Sequence, residues 1–273
     1  MFANRLKTSG AHLLAIFASL VMFVPVYLIA INSLKTKGDA NAMNVGLPTS
    51  LNWGNFVAVI DQGKLAISFF NSVLYASTST VIGTFIAACA AFVLSRKRTR
   101  MNRFFYFFLI MGIALPINFF TLTTMMQVTH LINSRHGMII LYSAMNIPFG
   151  VFLIYGFIES IPRELDEAAI IDGADPVQLF FMVILPLLKP VLVTTAILSF
   201  LGVWNEFLFP LYYLNSSSNW PMTLAVYSFF GQYQQNWNLV SADIMLTILP
   251  VIIVYLAGQR FILSGLTSGA VKG

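Results

Sequence analysis

RELDEAAIIDGADPVQLFFMVILP, Arg163 to Pro186, puts six charged residues within thirteen positions: Arg163, Glu164, Asp166, Glu167, Asp172 and Asp175. The whole chain of 273 residues has only 15 Lys and Arg and 10 Asp and Glu. It is 58% hydrophobic and 9% charged, with a mean hydropathy of +0.81. A soluble domain is about a quarter charged. So few charges leave too little polar surface to cover a globule in water, and the expected solvent is a bilayer. The polar stretch then reads as a segment held outside that bilayer, between apolar spans.

Locally the stretch reads as two short helices with a hinge. Pro162 suits a first helical position. Glu164, Asp166 and Glu167 crowd the first turns, where negative charge complements the helix dipole. Gly173 is placed to end that helix with positive φ. Asp175 and Pro176 restart the chain as N-cap and first helical residue. The second helix runs through Val177 to Phe181, and Pro186 and Pro190 lead into the next span. Ala168, Ala169, Gly173 and Ala174 leave the hinge with little bulk, open to close approach by another protein. Phe180 and Phe181 call for burial. A solvated acidic loop is the plainer alternative; the combination of polar and apolar faces favours a segment gripped by a partner.

Outward from the stretch lie six apolar segments, at about residues 11–33, 67–94, 104–128, 137–158, 187–214 and 243–263. A helical span needs about 20 such residues, and helices satisfy their own backbone groups without water. The expected class is an all-α integral membrane protein, with residues 1–273 forming one transmembrane domain. The N-terminus, MFANRLKTSGAH, has the basic start of a signal peptide. The apolar run after it is too long and lacks a small-residue cleavage site, so it reads as a retained first span. Pro25, Pro116, Pro148, Pro210 and Pro250 fall within or near five spans and read singly as ordinary kinks. Ser72, Ser77, Thr78, Ser79, Gly83, Ala87, Ala88 and Ala90 make the second span small, which suits burial among helices. The third span begins FFYFF, bulky enough to face lipid.

Loop 95–103 holds Arg96, Lys97, Arg98, Arg100 and Arg103, the strongest positive-inside signal in the chain. With six spans it puts both termini inside, together with loop 159–186. Eleven of the fifteen basic residues then lie inside. Residues 34–66 and 215–242 become the long outer segments. PMTLAVYSFFGQY, in the second of these, is too short to span and dips into the membrane or lies on it.

The net charge of +5 and pI of about 9.4 follow from this topology, and no nucleic-acid partner is expected. Cys89 is alone, and His12, His130 and His136 are scattered near span ends, so no metal site is expected. There is no phosphate-binding GxxxxGK[ST] and no catalytic cluster. Neither ATP hydrolysis nor a bound cofactor is expected of this chain. Glu206, preceded by Asn205, is the one acidic residue well inside a predicted span. An intramembrane carboxylate is costly and implies a role. Interhelical hydrogen bonding and contact with cargo in a translocation path are both open. Trp220, Tyr227, Phe229, Phe230, Tyr233 and Trp237 offer stacking faces for sugar rings or interfacial anchors.

The central stretch has a specific resemblance. Glu167-Ala168-Ala169, three residues, Gly173, nine residues, then Val183-Ile184-Leu185-Pro186 is similar to the EAA loop of bacterial ABC importer permeases, with Val183 in place of Ile. WNEFLFPLYYL (204–214), SSSNWPMTLAVYSFFGQYQQNW (216–237) and QRFILSGLTSGAVKG (259–273) resemble the carbohydrate-type, maltose-permease-like branch. The resemblance implies the type I ABC importer permease fold in a bacterial cytoplasmic membrane. It implies a heterodimer with a second permease, two ATPase subunits that use ATP and Mg, and an extracytoplasmic solute-binding protein. It further implies a coupling helix docked on an ATPase, with Glu167, Ala168, Ala169, Asp172, Gly173 and Ala174 at the contact. By the same resemblance, Trp220, Tyr227, Phe230, Tyr233 and Trp237 face the binding protein and the C-terminal tail reaches toward the ATPases. The expected cargo is a mono- or oligosaccharide, a polyol or glycerol phosphate. An ion-coupled secondary transporter is the alternative, and a membrane enzyme a distant third.

Overall fold

The computed structural model describes the backbone of residues 2–229 and 236–270 and the side chains of residues 10–229 and 236–261. Among the described residues every regular element is a helix. In chain order these are α1 (Phe2–Ser33), α2 (Lys37–Ala40), α3 (Gly54–Gln62), α4 (Leu65–Arg96), α5 (Arg100–Ala114), α6 (Phe119–Val128), α7 (Arg135–Ile158) and α8 (Glu164–Ile171). Then come α9 (Pro176–Gln178), a π-helical turn (Leu179–Ile184), α10 (Leu185–Leu187), α11 (Lys189–Asn205), α12 (Leu208–Tyr213), α13 (Met222–Ala225) and α14 (Trp237–Ala270).

Four spans are continuous: Gly10–Ser33, Leu65–Arg96, Arg135–Ile158 and Trp237–Phe261. The third and fifth are not the single helices expected. Arg100–Ala114 and Phe119–Val128 meet at 111°. The fifth is interrupted at Glu206, between α11 and α12, and Lys189–Asn205 itself meets Pro176–Leu187, the end of the preceding loop, at 75°. Pro25, Pro148 and Pro250 do remain inside their helices. Pro116 and Pro210, by contrast, sit at breaks rather than kinks. A proline offers no N–H, clashes with the carbonyl four residues back and pushes its predecessor out of the α region. Leu115 is accordingly extended, at φ −79° and ψ 131°, and ends α5. Asn118 restarts the chain as N-cap of α6, accepting from Thr121 N at 3.1 Å. Pro210 opposes the carbonyl of Glu206, where α11 gives way to α12.

The backbone contacts group into two compact units, Met1–Ala66 with Ala225–Leu249 and Ile67–Leu224 with Pro250–Gly273. The first unit is organised by Asn55. Its Nδ2 donates to Ser33 O (2.8 Å) and Lys35 O (2.9 Å), and its Oδ1 accepts from Asn238 Nδ2 (2.8 Å). These bonds tie the end of α1 and the start of α14 to α3. The ammonium of Lys35, buried here, donates to Asn44 O and Oδ1, both at 2.8 Å.

In the second unit α4 packs on α7. Ser72, Ala76, Ser79, Thr80, Gly83, Thr84, Ala87, Ala88 and Ala91 are buried at helical spacing. Val81, Ile82, Phe85 and Ile86, on the other side of α4, are exposed. The second span is thus buried along one face only, with an exposed apolar side that its small residues had hidden. The crossing is tight: a Cβ at Gly83 would lie 2.9 Å from Asn146 Cβ, and one at Gly150 would lie 2.7 Å from Ala87 Cβ. Phe104, Phe107 and Phe108 at the start of α5 are exposed, as the bulk of that segment led us to expect.

This crossing gives a stability prediction. Gly83→Val is expected to lower stability by roughly 1–3 kcal/mol through overpacking. Gly156→Ala, where a Cβ meets nothing within 4 Å, is expected to be neutral. Thermal unfolding of the detergent-solubilised protein measures both, and equal Tm values for the two variants would refute the tight crossing.

Candidate functional site

The loop between α7 and α11 is a folded object. Pro162 does not open α8, as expected from sequence; the helix begins two residues later, at Glu164, with Arg163 as N-cap. The reason is tertiary. Arg163 Nη2 donates to Ser95 O at 3.3 Å, and Asp166 is held by Arg96, so the start of α8 is fixed from the end of α4. At the other end of α8, Gly173 adopts φ +87°. Its N–H donates to Ile170 O (3.0 Å) and that of Ala174 to Ala169 O (2.9 Å), the paired bonds of a Schellman stop. The chain restarts with a capping box. Asp175 Oδ1 accepts from Val177 N and Gln178 N (2.8 Å each), and Gln178 Oε1 accepts from Asp175 N (3.1 Å). The hinge is therefore rigid, with both helix ends satisfied by local bonds.

The loop's anchor is an ion pair that sequence reading treated only as topology. Arg96 Nε lies 2.6 Å from Asp166 Oδ2, and Nη2 lies 3.1 Å from Oδ1. Both side chains are nearly buried, at 10% and 12% exposure. Nη2 also reaches Ile161 O at 3.4 Å. One guanidinium thus joins the end of α4, the end of α7 and the first turn of α8. Nothing in one sequence marks Arg96 out from the four other basic residues of its loop.

The expected contact residues divide. Glu167, Ala168, Asp172 and Gly173 are exposed, whereas Ala169 and Ala174 are half-buried. Ala169 packs inward against the core formed with Ile158, Ile161 and Phe180. The outward apolar surface comes from Ile171, 85% exposed, with Ile170 and Val177. Phe180 is buried against Phe92, with ring centroids 5.2 Å apart. Phe181, expected to be buried, is 45% exposed beside Phe85.

Glu206 sits in the break between α11 and α12, not inside a continuous span. Its Oε1 accepts from the backbone N–H of Phe207 (3.0 Å), Leu208 (2.8 Å) and Phe209 (3.4 Å). Its own carbonyl, which Pro210 bars from the helical ladder, accepts from Thr223 Oγ1 at 2.9 Å. The carboxylate caps α12. Asn205 Nδ2 bonds back to Leu201 O at 2.8 Å. A second intramembrane acid was missed: α14 begins at Trp237, earlier than expected, so Asp243 lies inside it. Asp243 is 1% exposed, and neither of its oxygens has a hydrogen-bond partner among the described residues.

Of the outer aromatics, Trp220 is half-buried and donates Nε1–H to Leu214 O at 2.9 Å. Tyr227 is exposed, Phe229 is buried and Trp237 is half-buried. Phe230 and Tyr233 lie outside the described residues. The segment carrying Trp220 is laced to α4 within the second unit: Asn71 Nδ2 donates to Ser218 O (2.9 Å) and Trp220 O (3.0 Å), and Tyr75 OH to Asn219 O (2.8 Å).

Residues 79–267 match the family described as binding-protein-dependent transport system inner membrane component. The chain is 34% identical to the melibiose/raffinose/stachyose import permease protein of Bacillus subtilis, over 98% of this chain and 99% of that one. It is 31% identical to a probable starch degradation products transport system permease protein of Thermoanaerobacterium thermosulfurigenes, over 95% of each. It is 30% identical to the diacetylchitobiose uptake system permease protein of Streptomyces coelicolor, over 99% of this chain and 91% of that one. Its fold matches a chain in the crystal structure of a bacterial ABC transporter that imports the acidic polysaccharide alginate. That match has a TM-score of 0.81 and 24% identity, and it covers 94% and 96% of the two chains.

Two tests follow from the geometry. Asp166→Ala strands a nearly buried guanidinium and is expected to lower stability by roughly 3 kcal/mol, with much of that recovered in an Arg96→Met/Asp166→Leu double variant. Thermal unfolding reads both, and a neutral Asp166→Ala would remove the anchor. Glu206→Gln keeps an acceptor for the α12 amides and is expected to preserve transport, while Glu206→Ala lowers stability by about 1 kcal/mol. A stable Glu206→Gln protein without transport would instead give the charge itself a role in translocation.

Proposed function

The chain belongs to the family of binding-protein-dependent transport system inner membrane components, and from that premise we propose that it is a permease half of an ATP-driven carbohydrate importer. Family membership sets aside the ion-coupled secondary transporter. The observation that carries the coupling mechanism is the rigid loop of residues 159–186. It is joined to α4 and α7 through Arg96 and displays Ile171 and Val177 beside the small residues Ala168 and Gly173. Such a knob suits a cleft on an ATPase subunit. When a pair of ATPases closes on ATP and Mg, a docked α8 must follow, and its ion pair transmits that movement to two spans. Nucleotide and cargo then act through their different affinities for inward- and outward-facing states.

The remaining assembly follows the same reading: a second permease, two ATPases and an extracytoplasmic solute-binding protein that delivers cargo to the outer segments. Both termini and the coupling loop face the cytoplasm, in keeping with the five basic residues of loop 95–103. The relatives are named for melibiose, raffinose and stachyose, for starch degradation products and for diacetylchitobiose. An oligosaccharide is accordingly the cargo class we assign.

The test is co-purification of the tagged chain from native membranes, with two variants. Ile171→Glu puts a charge on the exposed knob. Gly173→Pro removes a φ of +87° that proline cannot adopt. Both are expected to keep the second permease and to reduce recovered ATPase roughly tenfold or more, the loss expected from an interface hot spot. Wild-type recovery of ATPase with both variants would overturn the docking role of this loop.

A further inference from the structure

A cavity of about 410 Å³ opens where α4 hands over to α5, lined in part by Arg98, Arg100, Arg103, Tyr106, Phe107 and Tyr155. Three guanidinium groups border it. Glu159 answers one of them, through an ion pair with Arg98. Arg103 lies 5.7 Å from the centroid of the Phe107 ring, a cation–π contact that orients it while leaving its charge in place. Tyr106 and Tyr155, both in the lining, pack against each other with ring centroids 4.1 Å apart at a tilt of 31°, and each carries a phenol hydroxyl. The neighbouring Arg96 is already neutralised by Asp166. The cavity therefore has positive charge in excess of its own carboxylate, and hydrogen-bond donors above an aromatic wall.

Its depth is set by the chain. The turn 97–99 joins two apolar spans, so Arg98 and Arg100 stand at head-group level. Directly along α5, Phe104 and Phe108 stack at 6.2 Å and are exposed, an apolar track running away from the arginines. Positive charge at the polar boundary over an exposed aromatic stripe matches one kind of molecule: a phosphate that guanidinium can grip through two N–H bonds, carrying acyl chains.

We propose that the cavity between the 97–99 turn, α5 and α7 binds the head group of an anionic phospholipid. Arg100 and Arg103 hold the phosphate, and the acyl chains lie along Phe104 and Phe108. Basic pockets at the ends of membrane helices are suited to such head groups. The inference rests on the reading of α4, α5 and α7 as membrane spans. Arg98 of the lining pairs with Glu159, one residue past the end of α7, and Arg96 reaches the carbonyl of Ile158 beside it, so a bound lipid would brace the same helix ends that carry the coupling loop.

The experiment uses the assembled transporter, delipidated in mild detergent, and follows its thermal unfolding as lipid is added. Phosphatidylglycerol is expected to raise the Tm saturably; phosphatidylcholine and inorganic phosphate are not. The Arg100→Gln/Arg103→Gln variant is expected to need roughly tenfold more phosphatidylglycerol or beyond, for two charges lost at an anionic surface. Arg135→Gln, at the opposite end of α7 from Tyr155, is expected to titrate as wild type. Should the double variant fail to assemble, Arg100→Gln alone is expected to show a several-fold weakening. Recovery of the second permease and the ATPase is scored in each sample, so failed assembly is told apart from a failed lipid site. A variant that titrates as wild type would overturn the proposal, and so would inorganic phosphate reproducing the full shift.

Discussion

Inside a bilayer no water reaches a broken helix, so every N–H and C=O that a proline frees must be taken up by the chain itself. This constraint governs the breaks in the ladder near Pro116 and Pro210. At Pro210 the freed carbonyl of Glu206 goes to Thr223 Oγ1, and the freed amides of Phe207, Leu208 and Phe209 go to the Glu206 carboxylate. At Pro116 the amide of Thr121 is met by Asn118. At both breaks the backbone groups are met by a polar side chain nearby.

A second consequence concerns Arg96. Helix ends expose four carbonyls without partners, and α7 ends close to the membrane boundary. The guanidinium that pairs with Asp166 also reaches the carbonyls of Ile158 and Ile161. A buried ion pair is a weak source of net stability, because dehydrating two charges offsets most of their attraction. Its strength is geometric. Two contacts with one carboxylate fix the direction of α8 relative to α4, and the backbone bonds fix it relative to α7.

Much of the loop was legible because its determinants are local. Gly173 and the Asp175–Pro176 pair act within five residues of themselves, and any segment with that spacing would turn in the same way. Pro162 shows the limit: its preference for a first helical position yielded to contacts made by Arg163 and Asp166 with a helix some 70 residues earlier in the chain. Glu206 stood out as an acid in an apolar run, but its partners depend on how Pro210 breaks the span. Asp243 escaped notice because the end of an apolar run does not fix where a helix begins. Ala169 looked like part of an open docking surface, but a helix has two sides and composition does not say which one faces the core.

The sequence by itself determined the solvent, the all-helical class and the local form of the central loop. These follow from transfer free energy and from backbone preferences within a few residues. Only the tertiary structure decided which face of α4 is buried, where the third and fifth spans bend, what satisfies the backbone at those bends and which arginine holds the loop. Those outcomes depend on groups tens of residues apart meeting at hydrogen-bond distance, and the pattern of hydropathy along one chain carries no information about such distances.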